Sequence, residues 1–132
     1  MTVEGGEGPA VSLRGVGISF GLGAGKTYQA VAGIDLAVRP GEFVSIVGPT
    51  GCGKSTLLNA AAGLLAPSAG AVDIFGAPLK GLNRRAGYLF QAEALMPWKT
   101  AGDNVAVALE PQGVRRAEAV ERARAWLRRV GL

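Results

Sequence analysis

The sequence contains no histidine, so none of its chemistry can pass through an imidazole. It contains a single cysteine, Cys52, which excludes an internal disulfide and fits a reducing compartment. The longest apolar runs, such as residues 60–66, are far too short to cross a bilayer. The N-terminus lacks the basic-then-apolar pattern of a signal peptide. We therefore expect a chain that stays in the cytosol, unless a partner holds it at a membrane.

The charge of the chain does not indicate a nucleic-acid partner. Fourteen Lys and Arg against ten Asp and Glu give a net charge of +4, and six of the arginines lie within residues 115–129. Glu118 and Glu121 interrupt this basic run, which has helical spacing, so a solvated helix face is the favoured interpretation. Apolar residues make up 48% of the 132 residues, enough for a folded domain with a real core.

The residues before position 48 are of β type. Residues 1–10 are rich in Gly and Glu and are expected to be loose. Alternating apolar residues predict a strand, or two strand pieces, over 11–20 and another strand over 31–38, with a flexible turn at 21–27. The short apolar run over residues 43–47 predicts a buried parallel strand.

The rest of the chain alternates helical and strand-like segments. The pattern predicts a helix and two short strands, over residues 55–65, 71–75 and 87–90. Thr100 followed by Asp103 is a capping-box pattern, which predicts the start of a helix that is broken after Leu109 by Pro111. Apolar residues at helical spacing then predict a last helix over 114–130.

The stretch GPTGCGKST has the spacing of a phosphate-binding loop. Gly48-x-x-x-x-Gly53-Lys54-Ser55 is a Walker A motif. Its glycines let successive backbone N–H groups point into one concavity, at the positive end of the following helix. Lys54 can reach the β- and γ-phosphates, Ser55 can supply a hydroxyl to Mg²⁺, and Thr56 can donate to the α-phosphate. A predicted strand before the motif and a predicted helix after it disfavour a chance glycine turn.

Two details of the glycine-rich segments need an interpretation of their own. Gly25-Lys26-Thr27 superficially resembles the same motif, but the residues after Thr27 have strand spacing, so we interpret it as a turn. Cys52 lies inside the phosphate loop, at a position that we interpret as variable. Its thiol is still usable as a probe of the loop.

Position separates this chain from the small P-loop kinases, which usually open with their phosphate strand. Here β-type sequence comes first, which predicts an extra antiparallel layer.

Two longer stretches resemble a known family. VAGIDLAVRPGEFVSIVGPTGCGKSTLLNAAAGLLAPSAGAVDIFG and GYLFQAEALMPWKTAGDNVAVAL are similar to the ATPase subunits of ABC transporters. Within that family, the sequence pattern FQ…LMPW…DNVA is most similar to the importer ATPases for nitrate, sulfonates and taurine. The resemblance extends from about Val11 to Leu132.

The resemblance implies an α/β fold, a partial RecA-like P-loop NTPase core with an N-terminal antiparallel β-layer and the start of a helical subdomain. The β-layer and core would occupy about 11–91, and the Q-loop and helical start about 91–132. The chain would correspond to roughly the first half of such a subunit. The subunit would lie at the cytoplasmic face of the inner membrane, against a membrane-spanning permease and a second ATPase subunit.

The resemblance also implies a set of site residues. An aromatic side chain would stack on adenine; Phe20 matches best and Tyr28 is the second candidate, while either could instead pack within the small sheet. Gln91 matches the Q-loop glutamine, which touches Mg²⁺ and the attacking water, so Lys54 and Gln91 are the expected catalytic residues and Ser55 and Gln91 the metal ligands. The residues that would bind Mg-ATP in the loop are Gly48, Pro49, Thr50, Gly51, Cys52, Gly53, Lys54, Ser55 and Thr56.

A further segment, residues 95–98, matches the part of the family that faces the permease's coupling helix. It consists of Leu95, Met96, Pro97 and Trp98, for which core packing is the alternative, above all for Leu95. If the segment is a docking surface, Met96, Pro97 and Trp98 should be substantially exposed, and Trp98 is the sharpest case.

Several family motifs are absent from these residues. They contain no Walker B strand ending in Asp, no catalytic Glu after it, no LSGGQ-type loop and no switch histidine. The prediction is therefore a chain that binds Mg-ATP without hydrolysing it, within an importer that takes up a small anion. The alternatives are a stand-alone nucleotide-binding module without catalysis and, with less support, a small P-loop kinase.

Overall fold

The computed structural model describes residues 8–92 and 94–132, so most of the segment predicted to be loose, residues 1–10, lies outside the described residues. The chain divides into two compact units. The first ends at Tyr88, and the second runs from Leu89 to Leu132.

A long β-hairpin opens the first unit. Strands β1 (Val11–Gly23) and β2 (Lys26–Val38) pair antiparallel. Only Ala24 and Gly25 lie between them, and both have positive φ, 49° and 73°. Two consecutive left-handed residues reverse the chain with the twist that a hairpin requires. The predicted turn over 21–27 is therefore wrong in extent, because both strands continue almost to the hairpin tip.

Two further strands complete an antiparallel sheet. Strands β3 (Ala69–Ile74) and β4 (Ala77–Pro78) give the order β2-β1-β3-β4. Gly70, the second residue of β3, has a φ of +78°, and a Cβ there would lie 2.4 Å from the carbonyl oxygen of Arg14. The close approach of β1 at this point thus requires glycine. The predicted N-terminal antiparallel layer is confirmed.

The core of the first unit lies between this sheet and helix α1 (Lys54–Ala61). The helix buries Leu57 and Ala60, and its hydrophobic face is met by inward-facing residues of three strands. The other buried members of this core are Leu13, Val16, Ile18, Val31, Val72 and Ile74. The phosphate loop is attached to this core because α1 begins immediately after it.

Two predicted strands are not present. Residues 43–47 and 87–90 pair with no strand of the described chain. Most of their apolar side chains are exposed, with Phe43 at 93% and Leu89 at 96%, whereas Ile46 packs against the core of the first unit. A strand exists only through hydrogen bonds to a neighbour, and β-rich composition alone does not supply one. The prediction of a parallel strand before the phosphate loop is therefore wrong for this structure.

The second unit is helical. It contains α2 (Ala101–Ala106), a 3-10 turn (Glu110–Gln112) and α3 (Arg116–Arg129), with a small core of fully buried Ala106, Ala119 and Ala123. Among the described residues, no helix has both the length and the apolarity needed to cross a membrane.

The helix start predicted at Thr100 is confirmed. Its Oγ1 accepts a hydrogen bond from the Asp103 backbone N–H at 3.1 Å and donates one to Asp103 Oδ2 at 2.7 Å. That second bond, to the hydroxyl of Thr100, together with nearby Arg116 and Lys99, lowers the pKa of the Asp103 carboxyl below its usual 3.8. The helix ends at Ala106, earlier than predicted, and the arginine-rich helix α3 pairs Arg122 with Glu118 on a solvated face, as expected.

Candidate nucleotide site

The phosphate loop enters helix α1 through a glycine that no other residue could replace without strain. Gly53 is the N-cap residue of α1, with φ 92° and ψ 6°. A Cβ at this position would lie 2.5 Å from the carbonyl oxygen of Ala30 and 3.0 Å from Cγ2 of Val31, both on β2. The loop therefore passes directly against β2, and the absence of a side chain at Gly53 makes this contact possible.

The N-terminus of α1 has the properties that bind a phosphate group. The intrahelical hydrogen bonds of α1 begin with the Leu57 N–H, which donates to the Gly53 carbonyl oxygen at 2.9 Å, so the N–H groups of the first helical turn lie at the loop. The first turn of α1 contains no acidic residue. No carboxylate of the first turn therefore cancels the partial positive charge of the helix end, and the loop residues lead directly into it.

Lys54 places its ammonium group across this loop. Its Nζ donates to the carbonyl oxygens of Gly48 at 2.8 Å and Pro49 at 2.7 Å. The side chain is long and its head is solvent-accessible at the loop, so it can exchange these carbonyls for phosphate oxygens of higher negative charge. The geometry thus brings a positive side chain and the helix amides to the same loop, as the motif predicted.

Cys52 lies exposed at the same point. Its Sγ is 3.6 Å from Lys54 Nζ, and a Cβ at Gly48 would lie 2.8 Å from that sulfur. The thiol therefore occupies the space beside Gly48, next to the ammonium group of Lys54.

Strand β2 forms one wall of the site, a contribution that the sequence motifs do not reveal. A cleft of about 230 Å³ is bounded by Cys52, Gly53 and Lys54 of the loop and by the β2 residues 30–32 and 34. Ile46, Val47 and Leu57 complete its lining. No local sequence signal identifies β2 as a wall, because its position depends on the fold of the hairpin over the loop.

The two candidate adenine-stacking residues are neighbours. Phe20 on β1 and Tyr28 on β2 are direct cross-strand partners, so their side chains project from the same face of the hairpin. They are 40% and 49% exposed. Tyr28 lies two residues from Ala30, the β2 residue that meets Gly53, which is about 7 Å along a strand. The pair therefore lies beside the wall of the phosphate loop, and neither ring is buried in the sheet.

Comparison with known proteins agrees with this geometry. The sequence model of the family described as "ABC transporter" matches residues 31–132. The chain belongs to the ABC transporter family. This membership confirms the predicted resemblance, and it leaves the small P-loop kinase alternative without support.

Two relatives in the ABC transporter family are named as ATP-binding proteins of transport systems. The chain is 44% identical over 108 residues to "Taurine import ATP-binding protein TauB" of Pseudomonas aeruginosa strain UCBPP-PA14, which is 82% of this chain and 41% of that protein. It is 42% identical over 100 residues to "Bicarbonate transport ATP-binding protein CmpC" of Synechococcus elongatus, covering 76% of this chain and 15% of the relative. The chain thus spans about two fifths of the length of the TauB relative.

A solved ABC cassette has the same fold. The structure described as "Dimeric structure of a post-hydrolysis state of the ATP-binding cassette MJ0796 bound to ADP and Pi" matches with a TM-score of 0.78 and 32% identity. The match covers 89% of this chain and 56% of that one. The predicted fold class, a partial P-loop NTPase core of the ABC type, is confirmed.

The remaining predicted residues of this ABC transporter chain lie in the second unit. Gln91 is exposed at its start. Leu95 is 70% exposed, so the core-packing alternative for this residue is wrong. Pro97 is exposed and Trp98 is 79% exposed, as expected for a surface that meets a partner. Met96 is half-buried, so the expectation of substantial exposure is wrong for this residue.

Proposed function

We propose that the phosphate loop binds Mg-ATP, as the nucleotide-binding part of an ABC importer's ATP-binding subunit. The observation that carries the proposal is the left-handed Gly53, which packs the loop against β2 immediately before an α1 N-terminus whose first turn contains no carboxylate. The loop residues 48–56 would hold the phosphates, with Lys54 on the β- and γ-phosphates and Thr56 on the α-phosphate. Ser55 would hold Mg²⁺, which neutralises charge on the phosphates when bound. The metal role of Gln91, which lies in the second unit, stays a prediction from the family resemblance.

The adenine ring would stack on the pair formed by Phe20 and Tyr28. The two residues are cross-strand partners and both are partly exposed, which supports stacking of adenine on both rings and not on one of them alone. Stacking on an aromatic face is worth about 1–3 kcal/mol per base by alanine substitution. The platform includes Tyr28 of β2, the strand whose residues 30–32 and 34 line the cleft beside the phosphate loop.

We propose that these 132 residues bind ATP without turning it over. Lys54 and Gln91 match residues with catalytic roles in the family, but the sequence has no Walker B carboxylate pair, no LSGGQ-type loop and no histidine. Phosphate release from the purified chain should therefore equal that of a Lys54→Ala control. A release rate clearly above that control would contradict this proposal.

The importer to which the chain would belong takes up a small anion such as a sulfonate, taurine, nitrate or bicarbonate. The names of the two importer relatives support this substrate class. The subunit would work at the cytoplasmic face of the inner membrane, against a membrane-spanning permease. The dimeric state of the matching cassette supports a second ATPase subunit as the other partner.

The permease would dock on the segment 95–98, in which the side chains of Leu95 and Trp98 are mostly exposed. Trp98→Ala should weaken assembly with the permease while leaving the melting temperature and the ATP affinity nearly unchanged. Trp126→Ala is a matched control, because Trp126 is also exposed, at 56%, but lies on α3. Normal assembly of Trp98→Ala combined with a large loss of stability would contradict the docking role.

A further inference from the structure

One side chain holds the loop that carries Pro97 and Trp98. Asn104, in α2, accepts a hydrogen bond from the Met96 backbone N–H at 2.8 Å through Oδ1. Its Nδ2 donates to the carbonyl oxygens of Met96 at 3.2 Å, Lys99 at 3.2 Å and Thr100 at 3.0 Å. A single carboxamide thus fixes both ends of a five-residue loop.

The loop that Asn104 closes is a β-turn. The Lys99 backbone N–H donates to the Met96 carbonyl oxygen at 3.0 Å, so Pro97 and Trp98 are its two central residues. Proline is favoured at the first central position because its φ is already correct. The side chain of Trp98 therefore projects from the tip of the turn, which accounts for its 79% exposure.

A large, exposed side chain at a turn tip is useful for binding only if the turn is held in one conformation. Freezing a loop when a partner binds costs conformational entropy, and a loop that is already fixed avoids this cost. The backbone groups that Asn104 satisfies would otherwise bond to water and leave the turn free to open. Only an amide has both the acceptor and the two donors that this arrangement uses.

We infer that Asn104 is a positioning residue for the permease interface, acting through Trp98. The inference rests on the proposed docking role of residues 95–98. The same hydrogen bonds could serve only to start α2, since Thr100 lies one turn before Asn104. The two roles differ in their effect on the turn: positioning requires that loss of Asn104 frees Trp98 while the helices remain folded.

The motion of the turn can be measured on the 132-residue chain. In a Trp126→Phe background Trp98 is the only tryptophan, so its time-resolved anisotropy reports the turn alone. Amide exchange at Met96, followed by NMR, reports the bond to Oδ1. Gln112→Ala is the matched control, since it removes one side-chain bond to a backbone carbonyl, that of Ala108, in the same unit.

Two substitutions of Asn104 should give different patterns. Asn104→Ala should raise exchange at Met96 by roughly fivefold, the factor of one net hydrogen bond, and enlarge the fast component of the Trp98 anisotropy decay. Asn104→Asp keeps the acceptor but loses the donors, so Met96 should stay protected while Trp98 still becomes mobile. Gln112→Ala should change neither quantity. Unchanged Trp98 motion in a folded variant would overturn the inference, and if Asn104→Ala does not fold, Asn104→Asp decides it.

A second experiment tests the role of Asn104 in assembly of the complete importer. Asn104→Ala should lower recovery of the permease complex as Trp98→Ala does, and the double variant should lose no more than Trp98→Ala alone, because both act through one side chain. Additive losses would overturn the positioning role. If Trp98→Ala assembles normally, the docking proposal itself fails, while the exchange and anisotropy data still decide whether Asn104 holds the turn.

Discussion

Replacing Gly53 by alanine should damage the phosphate loop in two separable ways. The residue has φ 92°, and a left-handed alanine costs about 1–2 kcal/mol relative to glycine. The new Cβ would also lie 2.5 Å from the Ala30 carbonyl oxygen, a backbone atom that cannot rotate away. Forcing β2 and the loop apart should cost about 1–3 kcal/mol more, the usual range for overpacking.

Gly51 supplies the matched control within the same loop. Its φ is +84°, so an alanine at this position has a conformational cost similar to that at Gly53. A Cβ there would meet no atom within 4 Å. Gly51→Ala should therefore lose only the first contribution. The difference between the two variants isolates the contact between the loop and β2.

Urea unfolding of both variants, followed by far-UV circular dichroism, measures this difference. The free energy of unfolding should fall by about 1–3 kcal/mol more for Gly53→Ala than for Gly51→Ala. ATP affinity should also fall further in Gly53→Ala, because displacement of the loop misdirects its amides. Equal losses of stability in the two variants would refute the contact between the loop and β2.

Three further perturbations test the rest of the site and the second unit. Phe20→Ala and Tyr28→Ala should each weaken Mg-ATP binding, and a double variant with wild-type affinity would exclude the aromatic platform. Saturating Mg-ATP should slow thiol labelling of Cys52; an unchanged rate would count against its place under the phosphates. Because the pKa of Asp103 is lowered in the folded chain, its stabilising effect is present above pH 3.8 and is lost as the pH falls through the folded value. Thr100→Ala should weaken this acid-induced loss of helical signal, and an identical pH profile would contradict the cap.

Features that depend on residues close together in sequence could be predicted. The spacing from Gly48 to Ser55 predicted the loop that enters α1, and the pair Thr100 and Asp103 predicted the start of α2. In both cases the interacting groups lie within a few residues of each other. Local geometry therefore determines the contact, whatever the rest of the fold does.

Features that depend on a distant partner could not be predicted in the same way. The runs 43–47 and 87–90 have strand composition, but pairing requires a neighbouring strand, which composition does not reveal. The choice between Phe20 and Tyr28 was open because the hairpin register, which places them opposite each other, was unknown. The position of β2 beside the phosphate loop likewise depends on how the hairpin folds, so the sequence did not predict it.

The role of Asn104 could not be predicted from the sequence for a different reason. The residue belongs to a stretch that resembles the ABC family, but no sequence pattern gives it a role of its own. Its partners are Met96, Lys99 and Thr100, at separations of eight, five and four residues, which together match no helical or strand period. A contact between a side chain and an irregular loop has no periodic signal, so only coordinates reveal it.

The central claim, that the phosphate loop binds Mg-ATP through Lys54, is tested most directly by calorimetric titration with Mg-ATP. Wild-type protein and Lys54→Ala should be compared with Lys26→Ala, which changes the lysine of the similar Gly25-Lys26-Thr27 sequence at the hairpin tip. We predict that wild type and Lys26→Ala bind equally and that Lys54→Ala loses roughly tenfold or more in affinity, as expected for a charged hydrogen bond. Equal affinity in wild type and Lys54→Ala would contradict the claim.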